Sequence, residues 1–144
     1  RHTQLPMSDE WQLVVVGAWD NEAPLAKENA ELLAAFARKT GFCSNPVEFI
    51  GYVGEEVEKE ERNKLKQDLI DGLAKAARQM KECTISKLMV YFAGHGISDF
   101  HQKYVTISPD LGIMLEGEVM RAVEHEKLED VCAIVLLDAC RYRE

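Results

Sequence analysis

The chain has 144 residues, of which 47% are hydrophobic, 29% charged and 8% aromatic, the balance of one globular domain able to bury its own core. At this length neither disulfides nor a structural metal is needed for stability, so small-scaffold and disordered classes are excluded. Seventeen Lys and Arg against twenty-five Asp and Glu give a net charge of −8, the wrong sign for a protein whose affinity would come from neutralising phosphates, and nucleic acid is excluded as a direct partner.

In chain order, the first apolar run is Leu13-Val14-Val15-Val16, continuous rather than alternating, as in a strand buried on both faces. Residues 25–39 follow with a helical pattern, placing Ala30, Leu33 and Ala37 beside Leu32 and Phe36 on one expected inner face, with Gly41 as the stop. Val47-Glu48-Phe49-Ile50-Gly51-Tyr52 is half-alternating and predicts an outer strand. A long helix over 55–82 carries Leu65, Leu69, Leu73, Ala76 and Met80 at three- and four-residue spacing, with Glu55, Glu56 and Glu58 suiting its N-terminal dipole. Leu88-Met89-Val90-Tyr91-Phe92 and Ala133-Ile134-Val135-Leu136-Leu137 are two more fully buried strands. Between them lie a small hairpin strand at Tyr104-Val105-Thr106-Ile107-Ser108, ahead of Pro109-Asp110, and a helix at about 116–127 with Val119, Met120 and Val123 inward. Strands alternating with helices predict an α/β fold in three layers, a mainly parallel sheet with helices on both faces, as one domain over residues 1–144.

In such sheets ligands bind at the carboxyl ends of the strands. The loop Gly17-Ala18-Trp19-Asp20-Asn21-Glu22 lacks the glycine pattern or the Lys that cradles a nucleotide phosphate. The other two strand ends read Ala93-Gly94-His95-Gly96 and Asp138-Ala139-Cys140-Arg141. If these strands are neighbours, ~4.8 Å apart, His95 and Cys140 can face one substrate carbonyl. A thiolate and an imidazole are the minimum set for acyl transfer: Cys140 attacks, and His95 takes the thiol proton and returns it to the leaving amine. The backbone N–H groups of Gly96 and Cys140 are the expected oxyanion donors. No third member of a triad is evident. The bland alternatives are a turn His and a core Cys; either is the commoner use of its residue alone, and the matched placement favours chemistry.

The remaining cysteines, Cys43, Cys83 and Cys132, form no C-x-x-C pair, which excludes a zinc knuckle and predicts reduced, structural thiols in an intracellular, cytoplasmic setting. His2, His101 and His125 read as structural or solvated. No apolar stretch approaches the ~20 residues of a membrane span, so no membrane partner is expected. The start, Arg1-His2-Thr3-Gln4-Leu5-Pro6, has neither a signal-peptide core nor an initiator Met, which predicts a processed chain.

Tyr91-Phe92-Ala93-Gly94-His95-Gly96 and Leu136-Leu137-Asp138-Ala139-Cys140-Arg141 resemble the His and Cys signatures of caspase-like cysteine peptidases, the superfamily of caspases, metacaspases and paracaspases. The element order and the helix ending at Thr40-Gly41-Phe42 extend the likeness over nearly the whole chain. The resemblance implies an endopeptidase acting on protein substrates through an acyl-enzyme, with Cys140 as nucleophile and His95 as general acid–base. Caspases usually carry Gln two residues before the Cys; Asp138 stands there, as in metacaspases and paracaspases, and a carboxylate at the pocket base would pair with a P1 Arg, then Lys. The alternative is that Asp138 caps the strand end or pairs with Arg141. The second pocket acid of those families aligns with Asn29, which brings no charge, and Glu28 beside it is the candidate substitute.

The resemblance further implies that these residues are the large-subunit portion of a processed precursor, and that a C-terminal small-subunit-like chain is a partner; a homodimer is also allowed. No cofactor is implied, and the calcium dependence of some metacaspases does not transfer. The rival readings are a non-catalytic caspase-like pseudo-protease serving as scaffold or regulator, and an unrelated flavodoxin-like binding domain.

Overall fold

The three apolar runs are adjacent strands of a six-stranded sheet, four strands of which are parallel. The computed structural model describes residues 8–98, 103–108 and 111–143. The elements in chain order are β1 (Ser8–Trp19), α1 (Leu25–Thr40), β2 (Val47–Tyr52), α2 (Lys59–Cys83), β3 (Ile85–Ser98), β4 (Lys103–Ser108), β5 (Leu111–Ile113), α3 (Leu115–His125) and β6 (Cys132–Arg143). β1 pairs in parallel with β2 and β3, and β6 pairs in parallel with β3. Because β1 and β6 both pair with residues 87–93 of β3, they lie on its opposite edges and β3 is central. β4 pairs antiparallel with the outer end of β3, from His95 to Ser98, and β5 returns antiparallel to β4. The expected hairpin strand is thus present as β4, while Pro109 and Asp110 lie outside the described residues.

Helices cover both faces. On one side, Leu13 and Val15 meet Ala30, Ala34, Ala37 and Cys43, with Met89 and Tyr91 packed around them. On the other, Val14, Val16, Val90 and Phe92 pack with Leu69, Leu73 and Met80 of α2 and with Leu115, Val119 and Val123 of α3. This alternation follows from the two-residue period of a strand, which sends successive side chains to opposite faces. Among the described residues no helix is long and apolar enough to cross a membrane.

Four sequence expectations need correction. The run at residues 133–137 of β6, expected to be buried on both faces, has no fully buried residue, and Ile134 and Leu136 are exposed, because β6 pairs only with β3 among the described strands and lies at the edge of the parallel ladder. In α1 the buried stripe is Ala26, Ala30, Ala34 and Ala37, while Leu32 and Phe36 are exposed. The small side chains let the helix axis lie close to the sheet, and 100° per residue carries Leu25, Leu32 and Phe36 away from it. In α3 Met120 is exposed for the same angular reason, with Val119 and Val123 buried on either side of it. Helix α2 begins at Lys59, so its first-turn acids are Glu60 and Glu61. Glu55 and Glu56 lie in the preceding turn, where Glu56 accepts a hydrogen bond from the Tyr52 hydroxyl. The Gly41 stop is present as expected, in the left-handed conformation at φ 77°.

Candidate active site

The site is built at the carboxyl ends of β1, β3 and β6, and glycines set how closely they approach. Gly94, immediately before His95, has φ 156°, and a Cβ there would come within 2.8 Å of the Ala18 carbonyl oxygen and 3.0 Å of the Phe92 ring. Only glycine allows this approach of β3 to the end of β1. A Cβ on Gly17 would come within 2.9 Å of the Ala26 carbonyl oxygen, so this glycine lets the start of α1 sit directly on β1. The connection from β1 to α1 is thereby short and tightly held.

The register of the parallel ladder pairs His95 with Cys140, and Ala93 with Asp138. The two chemistry-bearing positions are therefore neighbours on adjacent strands. The Cys140 side chain lies outside the described residues, as does that of Arg141. Gly96 is buried and lies between Val105 of β4 and Arg141 of β6 in the ladder.

On its other flank His95 meets Asp20. The His95 Nε2 lies 2.8 Å from Oδ2 of Asp20, and the two side chains are only 16% and 15% exposed. The second carboxylate oxygen, Oδ1, accepts the backbone N–H groups of Glu22 at 2.9 Å and Ala23 at 2.8 Å. Asp20 is the residue that sequence reasoning missed. Its only signal was its place at the carboxyl end of the first strand, in a loop considered for phosphate binding and set aside.

Asp138 is exposed, and its Oδ2 accepts a 2.7 Å hydrogen bond from the Tyr91 hydroxyl. Tyr91 sits two residues before Ala93, the cross-strand partner of Asp138, so the bond runs diagonally across the ladder. Burial, reinforced by the hydrogen bond and charge of Asp138, pushes the Tyr91 phenol up to about 12. Asn29 and Glu28 lie on the first turns of α1, half-buried and exposed respectively. Both precede Ala30, whose packing with the cluster around Tyr91 puts α1 on the side of the sheet that Tyr91 faces; no hydrogen bond or ion pair joins either residue to Asp138 among the described residues.

The other thiols differ from one another. Cys43 is buried, and burial pushes its thiol up, opposed by backbone hydrogen bonds from the Leu13 and Asn45 segments. Cys83, at the end of α2, and Cys132, at the start of β6, are free and exposed rather than core residues. His125 is exposed at the last turn of α3, while His2 and His101 lie outside the described residues.

A family model for the caspase domain matches residues 17–144, a span that takes in all three strand ends of the site. The chain belongs to the caspase-domain family. No curated protein matches it significantly. Family membership supports a cysteine peptidase, a hydrolase of protein substrates, and the caspase-domain layering accounts for helices on both faces of a mainly parallel sheet.

Proposed function

We propose that this caspase-domain chain is the catalytic portion of a cysteine endopeptidase that cuts after Arg, and less readily after Lys. The observation that carries the reading is the ladder register of His95 with Cys140 toward the carboxyl ends of two adjacent parallel strands. His95 takes the proton from the Cys140 thiol as the sulfur attacks the scissile carbonyl carbon. The carbonyl oxygen becomes an oxyanion that the N–H groups of Gly96 and Cys140 stabilise. The C–N bond breaks as the imidazolium returns its proton to the leaving amine, which gives an acyl-enzyme. Water, deprotonated by His95, attacks the thioester carbon; the C–S bond breaks, the acid leaves, and the imidazolium returns the proton to the Cys140 sulfur. These steps use protein groups and one water, and need a reduced thiol, as in the cytoplasm.

Asp138 is the proposed base of the P1 pocket. Its exposed carboxylate, held by Tyr91, lies two residues from the nucleophile on the same strand and would pair with a guanidinium. Asn29 and Glu28 on α1 are the proposed second contact on that side. The uncovered α1-side face of β6, where Ile134 and Leu136 are 37% and 44% exposed, suits the small-subunit-like segment of the caspase fold as partner.

A peptidyl-Arg chloromethyl ketone, applied to the full protein that carries this chain, tests the reading. It should label Cys140 stoichiometrically, with Asp- and Leu-terminated analogues far slower, and Cys140→Ala should abolish peptide hydrolysis. The exposed Cys83 and Cys132 are internal controls. Labelling shared equally among the three thiols, or hydrolysis that survives Cys140→Ala, would favour a pseudo-protease.

A further inference from the structure

We infer that Asp20 is the positioning residue of the site: its carboxylate fixes the ring orientation and tautomer of His95, completing a Cys140–His95–Asp20 relay across three strand ends. The inference rests on the peptidase reading of Cys140 and His95. Its structural basis is the order of the strands, with β3 between β1 and β6, so that Asp20 and Cys140 flank His95 from opposite edges.

An ionised carboxylate accepts hydrogen bonds and donates none. With Asp20 Oδ2 at 2.8 Å from Nε2, the neutral imidazole therefore carries its proton on Nε2 and leaves the Nδ1 lone pair to receive the thiol proton. When His95 is protonated during acyl transfer, the same carboxylate stabilises the imidazolium without taking its proton. Both groups are largely shielded from water, which strengthens that interaction over its value at the surface.

The carboxylate is itself held in place. Oδ1 accepts two backbone N–H groups, from Glu22 and Ala23, and the Ala26 N–H bonds back to the Ala23 carbonyl at the start of α1. Gly94 and Gly17 bring β3 and α1 against the end of β1, so the Asp20 loop has little room to move away from His95. A carboxylate tied down on one oxygen and aimed at an imidazole with the other is placed to orient a ring.

Asp20→Asn is the discriminating variant, because the amide keeps an Oδ1 for the Glu22 and Ala23 N–H groups and replaces Oδ2 with a donor. A donor facing Nε2 favours the opposite tautomer, with the proton on Nδ1 and no acceptor left for the thiol. In the full protein, kcat on a peptidyl-Arg substrate should fall on the order of 100-fold or more while KM stays within about twofold. Long-range 15N–1H spectra of the histidines should show His95 as the Nε2–H form in the wild type and shifted toward Nδ1–H in Asp20→Asn. A kcat within about twofold of wild type, or a His95 tautomer indifferent to the substitution, would overturn the inference. The spectra need no turnover, so they judge Asp20 even if Cys140→Ala shows the peptidase reading to be wrong.

Discussion

Tyr91 shows how a single residue couples the core to the exposed carboxylate of Asp138. Its ring packs with the cluster under α1, while its hydroxyl reaches across the ladder to Asp138. Because its phenol titrates at about 12 in the folded chain against about 10 when free, the unfolded chain releases this proton first as pH rises. Between those values the folded state binds more protons than the unfolded state, so stability falls with increasing pH. The contribution is complete below pH ~10 and lost by ~12. Thermal unfolding followed across that window should show Tyr91→Phe declining less steeply than wild type, and parallel curves would mean that neither burial nor Asp138 raises the Tyr91 phenol. The strand-end positions of His95 and Cys140 were legible because each follows an apolar run by a fixed short interval. Asp20 was not, since its partner lies 75 residues away and the contact depends on a close approach that only the Gly94 backbone permits.

At the scale of elements, the packing surfaces of α1 and α2 differ in kind, and the difference has measurable consequences. Leu69 of α2 is fully buried between Val and Phe side chains of the sheet, so Leu69→Ala should cost about 2–5 kcal/mol by opening a cavity in a close-packed layer. Leu32 of α1 is 60% exposed, and Leu32→Ala should change stability by no more than about 0.5 kcal/mol. Denaturant midpoints of the two variants check the contrast; equal losses would show that Leu32 is covered in solution. The contrast runs against the hydrophobic pattern, which favours the larger side chains for the inner face. Periodicity located every helix, because each has a stripe at three- and four-residue spacing. It could not rank two stripes on one helix, since the alanine stripe is chosen by the short distance to β1 that Gly17 allows. Strand length was underestimated for a related reason: the apolar runs mark only the middle of each strand, doubly buried in β1 but not in β6, whereas ladder pairing continues from Asp138 to Arg143, through the candidate site.

Over the whole molecule the two faces of the sheet are unequally covered, and this asymmetry bears on what else must bind. Val135, Leu137 and Ala139 of β6 pack against the α2–α3 side, whereas Ile134 and Leu136, the cross-strand partners of Met89 and Tyr91, are exposed on the α1 side. Strand β6 pairs only with β3 among the described strands, so its outer backbone groups and this apolar face lie together. An apolar strand with a free edge is a template for further pairing, and in a soluble protein such a strand is ordinarily covered. The proposed small-subunit-like segment would both extend the sheet and bury Ile134 and Leu136, and with that face uncovered the chain should be prone to self-association. Light scattering on the isolated chain should therefore show oligomers that the Ile134→Lys, Leu136→Lys double variant disperses. The same double variant should fail to co-purify with the complementary segment supplied in trans, because two buried ammonium groups would face an apolar partner without counter-charges. A monodisperse isolated chain, together with undiminished capture of that segment by the double variant, would show that β6 does not carry the subunit contact.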